Sequence, residues 1–152
     1  MILSMMNPFS LRAIFLAKHA QHVVLIHFPI ALFIIGVVFD LLSRGNRDSQ
    51  LSNAAYLNLS VAAAAVLPTY VTGVLAWQFA FRGERLQGFL LLHLAAASFT
   101  ALLVMVSWWI HWRSRKSELL ALPRYRIPIE LLGVAVISLS AHLGGFLSGV
   151  NR

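Results

Sequence analysis

Four histidines in this sequence lie within or at the start of long apolar stretches. His22 and His27 open a stretch that runs to Asp40, and His93 and His142 lie in two later stretches. An imidazole inside a bilayer is costly and marks a candidate functional position. Because neutral imidazole binds iron, copper and zinc, these histidines predict a metal or cofactor site.

The stretches that carry the histidines are long enough to cross a membrane. Four of them, at about 22–42, 53–80, 88–112 and 127–150, are separated by two short polar turns and the basic loop 113–126. A helix of about 20 apolar residues crosses about 30 Å of hydrocarbon, and short connections favour neighbouring antiparallel helices. The sequence predicts an all-α integral membrane protein with a four-helix up-down-up-down transmembrane domain at 22–152. Residues 1–21 are expected to form a short interfacial helix or a tail.

Composition supports a membrane protein over a nucleic-acid-binding one. Hydrophobic residues make up 59% of the chain and charged residues 11%, whereas soluble domains carry about 25% charged residues. The net charge of +7 comes from basic residues in short loops, a pattern typical of membrane topology. The chain has no cysteine, which excludes disulfides, thiolate metal sites and covalent c-type haem.

The basic residues predict an orientation in the membrane. The larger group lies in the loops after the first and third spans: Arg44, Arg47, Arg113, Arg115, Lys116, Arg124 and Arg126. The smaller group is Arg12, Lys18, Arg82, Arg85 and Arg152. Because positive charge favours the cytoplasmic side, we expect a multi-pass protein with both termini on the periplasmic or extracellular side.

Three of the histidines are expected at one depth. In an up-down-up-down bundle His27, His93 and His142 all fall near the external face, roughly 8–12 Å inside their spans at 1.5 Å per residue. Small residues beside His93, including Ala96 and Ala97, leave space for a flat cofactor between helices. Pairs of histidines in bundle cores hold haem.

These positions predict a b-type haem near the external leaflet. His27 and His93, from the diagonally opposed first and third spans, are the expected axial ligands. His142 is expected to hydrogen-bond a propionate or to substitute as ligand, and His22 is expected further out, at the interface. Arg82 and Arg85 are expected on the same face, where they can pair with the haem propionates. Such a subunit would exchange electrons with quinone or with a periplasmic redox protein.

Two other readings of the histidines stay open. Three imidazoles can form a zinc or copper site. Alternatively, the imidazoles form inter-helix hydrogen bonds in a cofactor-free anchor or accessory subunit of a larger membrane complex. The chain lacks the G-x-S-x-G and H-E-x-x-H hydrolase motifs, so an electron-transfer or accessory subunit is favoured over a stand-alone enzyme.

The remaining charged residues are expected to have structural roles. Asp40 is four residues before Arg44, a spacing that favours an ion pair on one helix face. Glu130 follows Pro128 and suits a helix N-terminus. His111 stands among tryptophans at the opposite end of the third span from His93, which predicts an interface position.

The opening segment, His22-x-x-x-x-His27-Phe28-Pro29-Ile30-Ala31-Leu32, resembles an uncharacterised family of bacterial four-span inner-membrane domains. The resemblance extends to later positions of the chain: Gly73, Trp77, His93 and the string His142-Leu143-Gly144-Gly145. The resemblance covers about residues 22–150. It implies the four-span fold and the membrane, and no established activity.

The orientation is testable by cysteine labelling, because the chain has no cysteine of its own. We expect Gln87→Cys to react with a membrane-impermeant maleimide added from the periplasmic side. Ser117→Cys, in the basic loop, is expected to react only after the membrane is permeabilised. The opposite pattern would reverse the assignment.

Overall fold

The computed structural model describes residues 18–44, 46, 49–79, 82–83, 85–116 and 121–148. They form five helices: α1 (Lys18–Leu25), α2 (His27–Ser43), α3 (Gln50–Phe79), α4 (Gly88–Lys116) and α5 (Arg126–Leu147). These ranges contain no strand, only an isolated bridge between Asn46 and Ala121. The all-α prediction is therefore confirmed. The interfacial helix predicted within 1–21 lies, up to residue 17, outside the described residues.

Four helical segments are long and apolar enough to cross a membrane. They run over Gln21–Ser43, which joins α1 and α2, and over α3, α4 and α5. Large apolar side chains on every span are exposed at the surface of the bundle, among them Leu42, Leu67, Leu92 and Leu139. Lipid is the solvent that such a surface needs. The chain is a multi-pass membrane protein in contact with the bilayer.

The spans pack as an up-down-up-down bundle. Helix α2 packs against α3 and α5, and α4 packs against the same two helices, so α2 and α4 lie diagonally opposite. Contacts join the start of one helix to the end of its neighbour, as where Tyr70 Oη lies 3.0 Å from Ser98 Oγ. The two ends of the bundle are named below by their histidines. The His93 end is where α4 begins, and the His111 end is where α4 finishes.

Glycines let the helices approach closely in the middle of the bundle. A Cβ at Gly133 of α5 would lie 2.6 Å from Cζ of Phe33, whose ring is fully buried on α2. A Cβ at Gly36 would lie 3.1 Å from Leu59 of α3. Close approach over small residues is a usual basis of helix association in membranes, where lipid is as apolar as the core.

The two halves of the bundle repeat one another with an offset of 71 residues. His22 Nδ1 lies 3.1 Å from the carbonyl oxygen of Thr69, and His93 Nδ1 lies 3.0 Å from that of Ser140. Each imidazole also lies against a glycine of the neighbouring helix, one turn after the residue whose carbonyl it contacts. These glycines, Gly73 and Gly144, obey the same offset.

Buried positions follow the same offset. The pairs that are buried in both halves include Phe33 and Val104, Gly36 and Ser107, Asp40 and His111, Ala62 and Gly133, and Val66 and Ile137. Since α2 and α4 run in the same direction, the two halves are related by a pseudo-two-fold axis along the bundle. Equivalent residues that face this axis meet each other across the diagonal.

The contact between Gly133 and Phe33 generates a stability prediction. Gly133→Ala gains roughly 1 kcal/mol in helix propensity but forces the fully buried Phe33 ring to move, and overpacking costs about 1–3 kcal/mol. We expect a lower thermal unfolding temperature in detergent. Phe33→Leu replaces the ring by a shorter side chain. In the double variant it should therefore suppress the destabilisation caused by Gly133→Ala. Additive losses would show that the ring is not the obstacle.

Candidate functional site

Four charged or titratable side chains are buried together at the His111 end. Asp40 is 0% exposed, His111 0%, Glu130 0% and Arg126 2%. They come from three helices: Asp40 from α2, His111 from α4, and Arg126 and Glu130 from α5. We refer to these four residues as the buried ionic cluster. Charged side chains within membrane spans are rare and pair with one another when they occur.

The buried ionic cluster forms a chain of polar contacts. Arg126 Nε donates a hydrogen bond to Asp40 Oδ2 at 2.6 Å. Asp40 Oδ1 lies 3.8 Å from His111 Nε2, and His111 Nε2 lies 2.8 Å from Glu130 Oε1. Asp40 and His111 are the equivalent residues of the two repeats, so this contact crosses the bundle near its pseudo-two-fold axis.

The guanidinium of Arg126 is fixed by its own helix start. Its Nη1 donates to the carbonyl oxygens of Pro123, at 3.1 Å, and Leu122, at 3.4 Å. Both residues precede α5, and the carbonyl of Pro123 also accepts a hydrogen bond from the backbone N–H of Arg126 at 3.3 Å. The arginine therefore satisfies the chain entering α5 and the carboxylate of α2 at once.

Several polar atoms in and near the cluster have no hydrogen-bond partner among the described residues. They are Asp40 Oδ1, His111 Nδ1 and Glu130 Oε2 in the cluster, and the hydroxyls of Ser52 and Ser107 at the same end. One ligand atom each from Asp40, His111 and Glu130 lie within 4.8 Å of one another. Buried polar groups are normally paired, so unsatisfied atoms of this density mark a candidate site.

Three expectations from the sequence are wrong at this site. Asp40 pairs with Arg126 of α5 and not with Arg44, which is exposed and ends α2 in a left-handed conformation at φ 54°. His111 is fully buried between the helices and contacts Glu130, instead of standing among the exposed aromatic side chains. Glu130 does not act as a helix-terminal charge but contacts His111. In each case a partner on another helix replaces a local one.

The cluster lies just inside a ring of basic and aromatic side chains. Arg115 stacks over Tyr56 with 4.4 Å to the ring centroid and donates to the carbonyl of Ser52 at 3.0 Å. Lys116 stacks over Trp112 at 4.1 Å. Aromatic and basic residues of this kind sit at headgroup level. His111 is one helical turn from Arg115, or roughly 6 Å deeper.

Two of the predicted site residues, His22 and His93, are half-buried between helices at the other end of the bundle. His22 lies between α1 and α3, where its Nδ1 is 3.1 Å from Thr69 O and 3.3 Å from Thr72 Oγ1. His93 lies between α4 and α5, with Nδ1 bonded to Ser140 O. We refer to His22 and His93 as the imidazole pair.

The other two predicted histidines, His27 and His142, are exposed on the surface of the bundle. The His142 ring meets Phe146 edge-on at 5.0 Å, and Phe146 stacks on Phe89 at 5.8 Å. His27, His93 and His142 do not bring their ring nitrogens together. Within the described ranges, the convergent group of three possible ligands is Asp40, His111 and Glu130.

The predicted propionate partners Arg82 and Arg85 are exposed at the His93 end. Arg85 borders an open cavity of about 460 Å³ together with Gln87, Phe89, Leu90 and Leu147. Phe89 and Leu90 are one turn before His93 on α4. The cavity therefore opens at the His93 end, beside the start of α4, and not beside the buried ionic cluster.

The ion pair between Asp40 and Arg126 generates a second stability prediction. Arg126→Leu leaves a buried carboxylate without its counter-ion, and we expect a loss of about 3–5 kcal/mol. The double variant Arg126→Leu with Asp40→Leu removes both charges and should recover most of that loss. Arg124→Leu, an exposed neighbour, serves as the control. The thermal unfolding temperature in detergent is measured for wild type, the two single variants and the double variant. A double variant that is no more stable than Arg126→Leu would contradict the pairing of Asp40 with Arg126.

Comparison with known proteins identifies a family but no characterised relative. No significant match was found among curated proteins or among solved structures. A family model described as "Predicted membrane protein (DUF2231)" matches residues 18–151, which include all four spans and both sites described above. The chain belongs to this family of membrane proteins, a domain family of unknown function.

Proposed function

We propose that the protein is a membrane-embedded electron-transfer subunit that binds one b-type haem at the His93 end. The observation that supports this is the imidazole pair. His22 and His93 occupy equivalent positions of the two repeats, and each ring is held in the same way, against a backbone carbonyl and a glycine.

The hydrogen bonds of the imidazole pair are those expected of ligand histidines. A carbonyl oxygen can only accept, so the contact at Nδ1 defines that nitrogen as the protonated one. Metal-bound histidines usually donate one ring N–H to a carbonyl or carboxylate, which orients the other nitrogen toward the metal. In His93 this leaves Nε2 as the ligand atom, and the part of the chain that the structure describes supplies it with no hydrogen bond.

Glycines at the contact points support a site built around the imidazoles. A Cβ at Gly73 would lie 2.9 Å from Cε1 of His22, and one at Gly144 would lie 3.2 Å from Cε1 of His93. Any larger residue at either position would displace the ring. The two rings therefore depend on the absence of a side chain on the neighbouring helix.

The internal repeat favours His22 over His27, the partner expected from the sequence, as the second histidine that would hold the haem. His27 is exposed, and the residue equivalent to it in the second repeat is Ser98, which cannot replace an imidazole as an iron ligand. His22 is instead the equivalent of His93. His142 is exposed on α5 and is assigned no ligand role.

The surroundings suit an anionic cofactor and an external electron partner. Arg82 and Arg85 are exposed at the His93 end and can pair with propionates. The open cavity beside Phe89 is within the size range of small-molecule sites, roughly 300–1,000 Å³. We assign the His93 end to the periplasmic face of a bacterial inner membrane, with a quinone or a periplasmic redox protein as partner.

The test is the visible spectrum of the protein purified from cells supplied with haem precursor. We expect about one haem per chain by pyridine haemochrome assay and a low-spin reduced-minus-oxidised spectrum, as two imidazole ligands give. His93→Ala and His22→Ala should lose the low-spin spectrum, because each removes one axial ligand. His27→Ala and His142→Ala are the matched controls and should retain it.

Each other outcome has a defined meaning. Loss of the spectrum in His27→Ala with retention in His22→Ala would restore the pair predicted from the sequence. A wild-type protein without haem would overturn the proposal. Metal analysis of the same samples covers the zinc or copper alternative, because one equivalent of either metal in wild type would replace haem as the ligand.

A second candidate is a cofactor-free accessory subunit of a larger membrane complex. The observation that favours it is that the imidazole pair already bonds α1 to α3 and α4 to α5 without any ligand. In that case His93→Gln, which keeps a side-chain amide donor, should retain the thermal stability of wild type. A haem-free protein that co-purifies with another membrane subunit would support this function.

A further inference from the structure

The buried ionic cluster carries an inference that does not depend on haem binding. Its charges do not cancel when each residue takes its usual form. Asp40 and Glu130 supply two negative charges, Arg126 supplies one positive charge, and a neutral His111 supplies none. The cluster is then one positive charge short of neutrality, although all four side chains are buried.

Neutrality matters because the cluster is screened neither by water nor by salt. Uncompensated charge in a low-dielectric interior is strongly unfavourable. Charged residues within membrane spans pair with one another for that reason. Asp40 is compensated directly by Arg126, with Nε donating to Oδ2 at 2.6 Å. The missing positive charge therefore belongs to His111 and Glu130.

We propose that the buried ionic cluster is a proton-binding site within the membrane, in which His111 Nε2 and Glu130 Oε1 share one exchangeable proton. The two atoms are 2.8 Å apart, the distance of a charge-assisted hydrogen bond. With the proton on either atom the cluster is neutral as a whole. The proton moves between an imidazolium–carboxylate form and a form in which both groups are uncharged.

The charge count favours a proton over a metal ion. A divalent cation bound by Asp40, Glu130 and neutral His111 would leave the cluster with one excess positive charge, because Arg126 stays protonated. Monovalent alkali ions have the right charge, but they are hard cations that take oxygen ligands, and the cluster offers an imidazole nitrogen at its centre. A proton supplies one positive charge and binds imidazole well.

The charged groups that face His111 and Glu130 come from α2 and α5. Helix α2 supplies Asp40, whose free Oδ1 is 3.8 Å from Nε2. Helix α5 supplies Arg126, which is held by Asp40. On α3 the nearby polar residues are Ser52 and Tyr56, which contact Arg115 of α4. Arg115 points away to these partners, so the charges that act directly on the shared proton are those of Asp40 and Arg126.

The atoms that lack partners provide the acceptors and donors that exchange requires. Glu130 Oε2 and His111 Nδ1 are each the second heteroatom of a group in the proton-sharing contact, and neither has a hydrogen bond within the described residues. The hydroxyl of Ser107 is one turn from His111 on the same buried face of α4 and is likewise unpaired. Hydroxyls can donate and accept in turn, so Ser107 extends the site toward the bundle interior.

The experiment is infrared difference spectroscopy of the full chain in lipid nanodiscs, recorded across a pH jump in H₂O and D₂O. We expect a carbonyl band of a protonated carboxylic acid that appears or disappears with pH and shifts in D₂O. Glu130→Gln should abolish the band completely. Glu118→Gln, at a glutamate between α4 and α5 in the sequence, is the control and should leave the band unchanged.

Further measurements decide between the competing assignments. If Asp40→Asn abolishes the carbonyl band and Glu130→Gln retains it, the proton is on Asp40 and the proposal is overturned. The absence of any such band in folded wild type would show a fixed ion pair. If Glu130→Gln does not fold, NMR of ¹⁵N-histidine-labelled wild type, assigned with His111→Gln, reads the His111 nitrogens directly. Shifts that do not change with pH would then overturn exchange.

Titration with zinc and manganese completes the test. We expect no stoichiometric binding to wild type that depends on the buried ionic cluster. One equivalent of bound metal, lost in both Asp40→Asn and His111→Gln, would replace the proton by a metal ion and overturn the proposal. None of these readouts involves haem, so the proton site and the imidazole pair can succeed or fail independently.

Discussion

The need to neutralise charge inside the bilayer governs how this bundle is assembled. The buried ionic cluster draws Asp40 from α2, His111 from α4, and Arg126 and Glu130 from α5. Helix α2 carries Asp40 with no cation of its own at that depth, and its counter-charge, Arg126, is on α5. Burial of an unpaired ion costs several kcal/mol. The cluster therefore sets the rotation and the height of three spans relative to one another, and the apolar contacts follow.

The internal repeat explains why the charges meet where they do. Asp40 and His111 are equivalent residues facing the pseudo-two-fold axis, so any polar pair at these positions must come together. The partners of the second half have no polar counterparts in the first. Glu130 is equivalent to Leu59 and Arg126 to Ala55, and both of these are fully buried apolar residues. The polar residues of the cluster therefore break the two-fold symmetry of the bundle at one end.

The other end keeps its symmetry. His22 and His93 have matching hydrogen bonds, to Thr69 and Ser140, and matching glycines. The imidazole end is therefore symmetric, whereas the ionic cluster is not. The two ends are about a membrane thickness apart along α4, since the 18 residues from His93 to His111 span roughly 27 Å at 1.5 Å per residue. The proposed electron-transfer site at one face and the proposed proton site near the other would together form the parts of a proton-coupled redox protein.

The fold class, the number of spans and their limits followed from the sequence alone, because the length of an apolar run measured against the hydrocarbon thickness needs no tertiary information. Span ends such as Leu42, Ala80 and Trp112 were predicted within four residues of the helix ends that the structure has. The sequence also identified His22 and His93 among its candidate residues. It did not identify the buried ionic cluster, and it assigned Asp40 to Arg44. In a soluble helix, an amphipathic pattern indicates which face is inside. Here lipid outside and core inside are both apolar, so the pattern carries no such signal and only tertiary packing decided which way Asp40, His111 and Glu130 face.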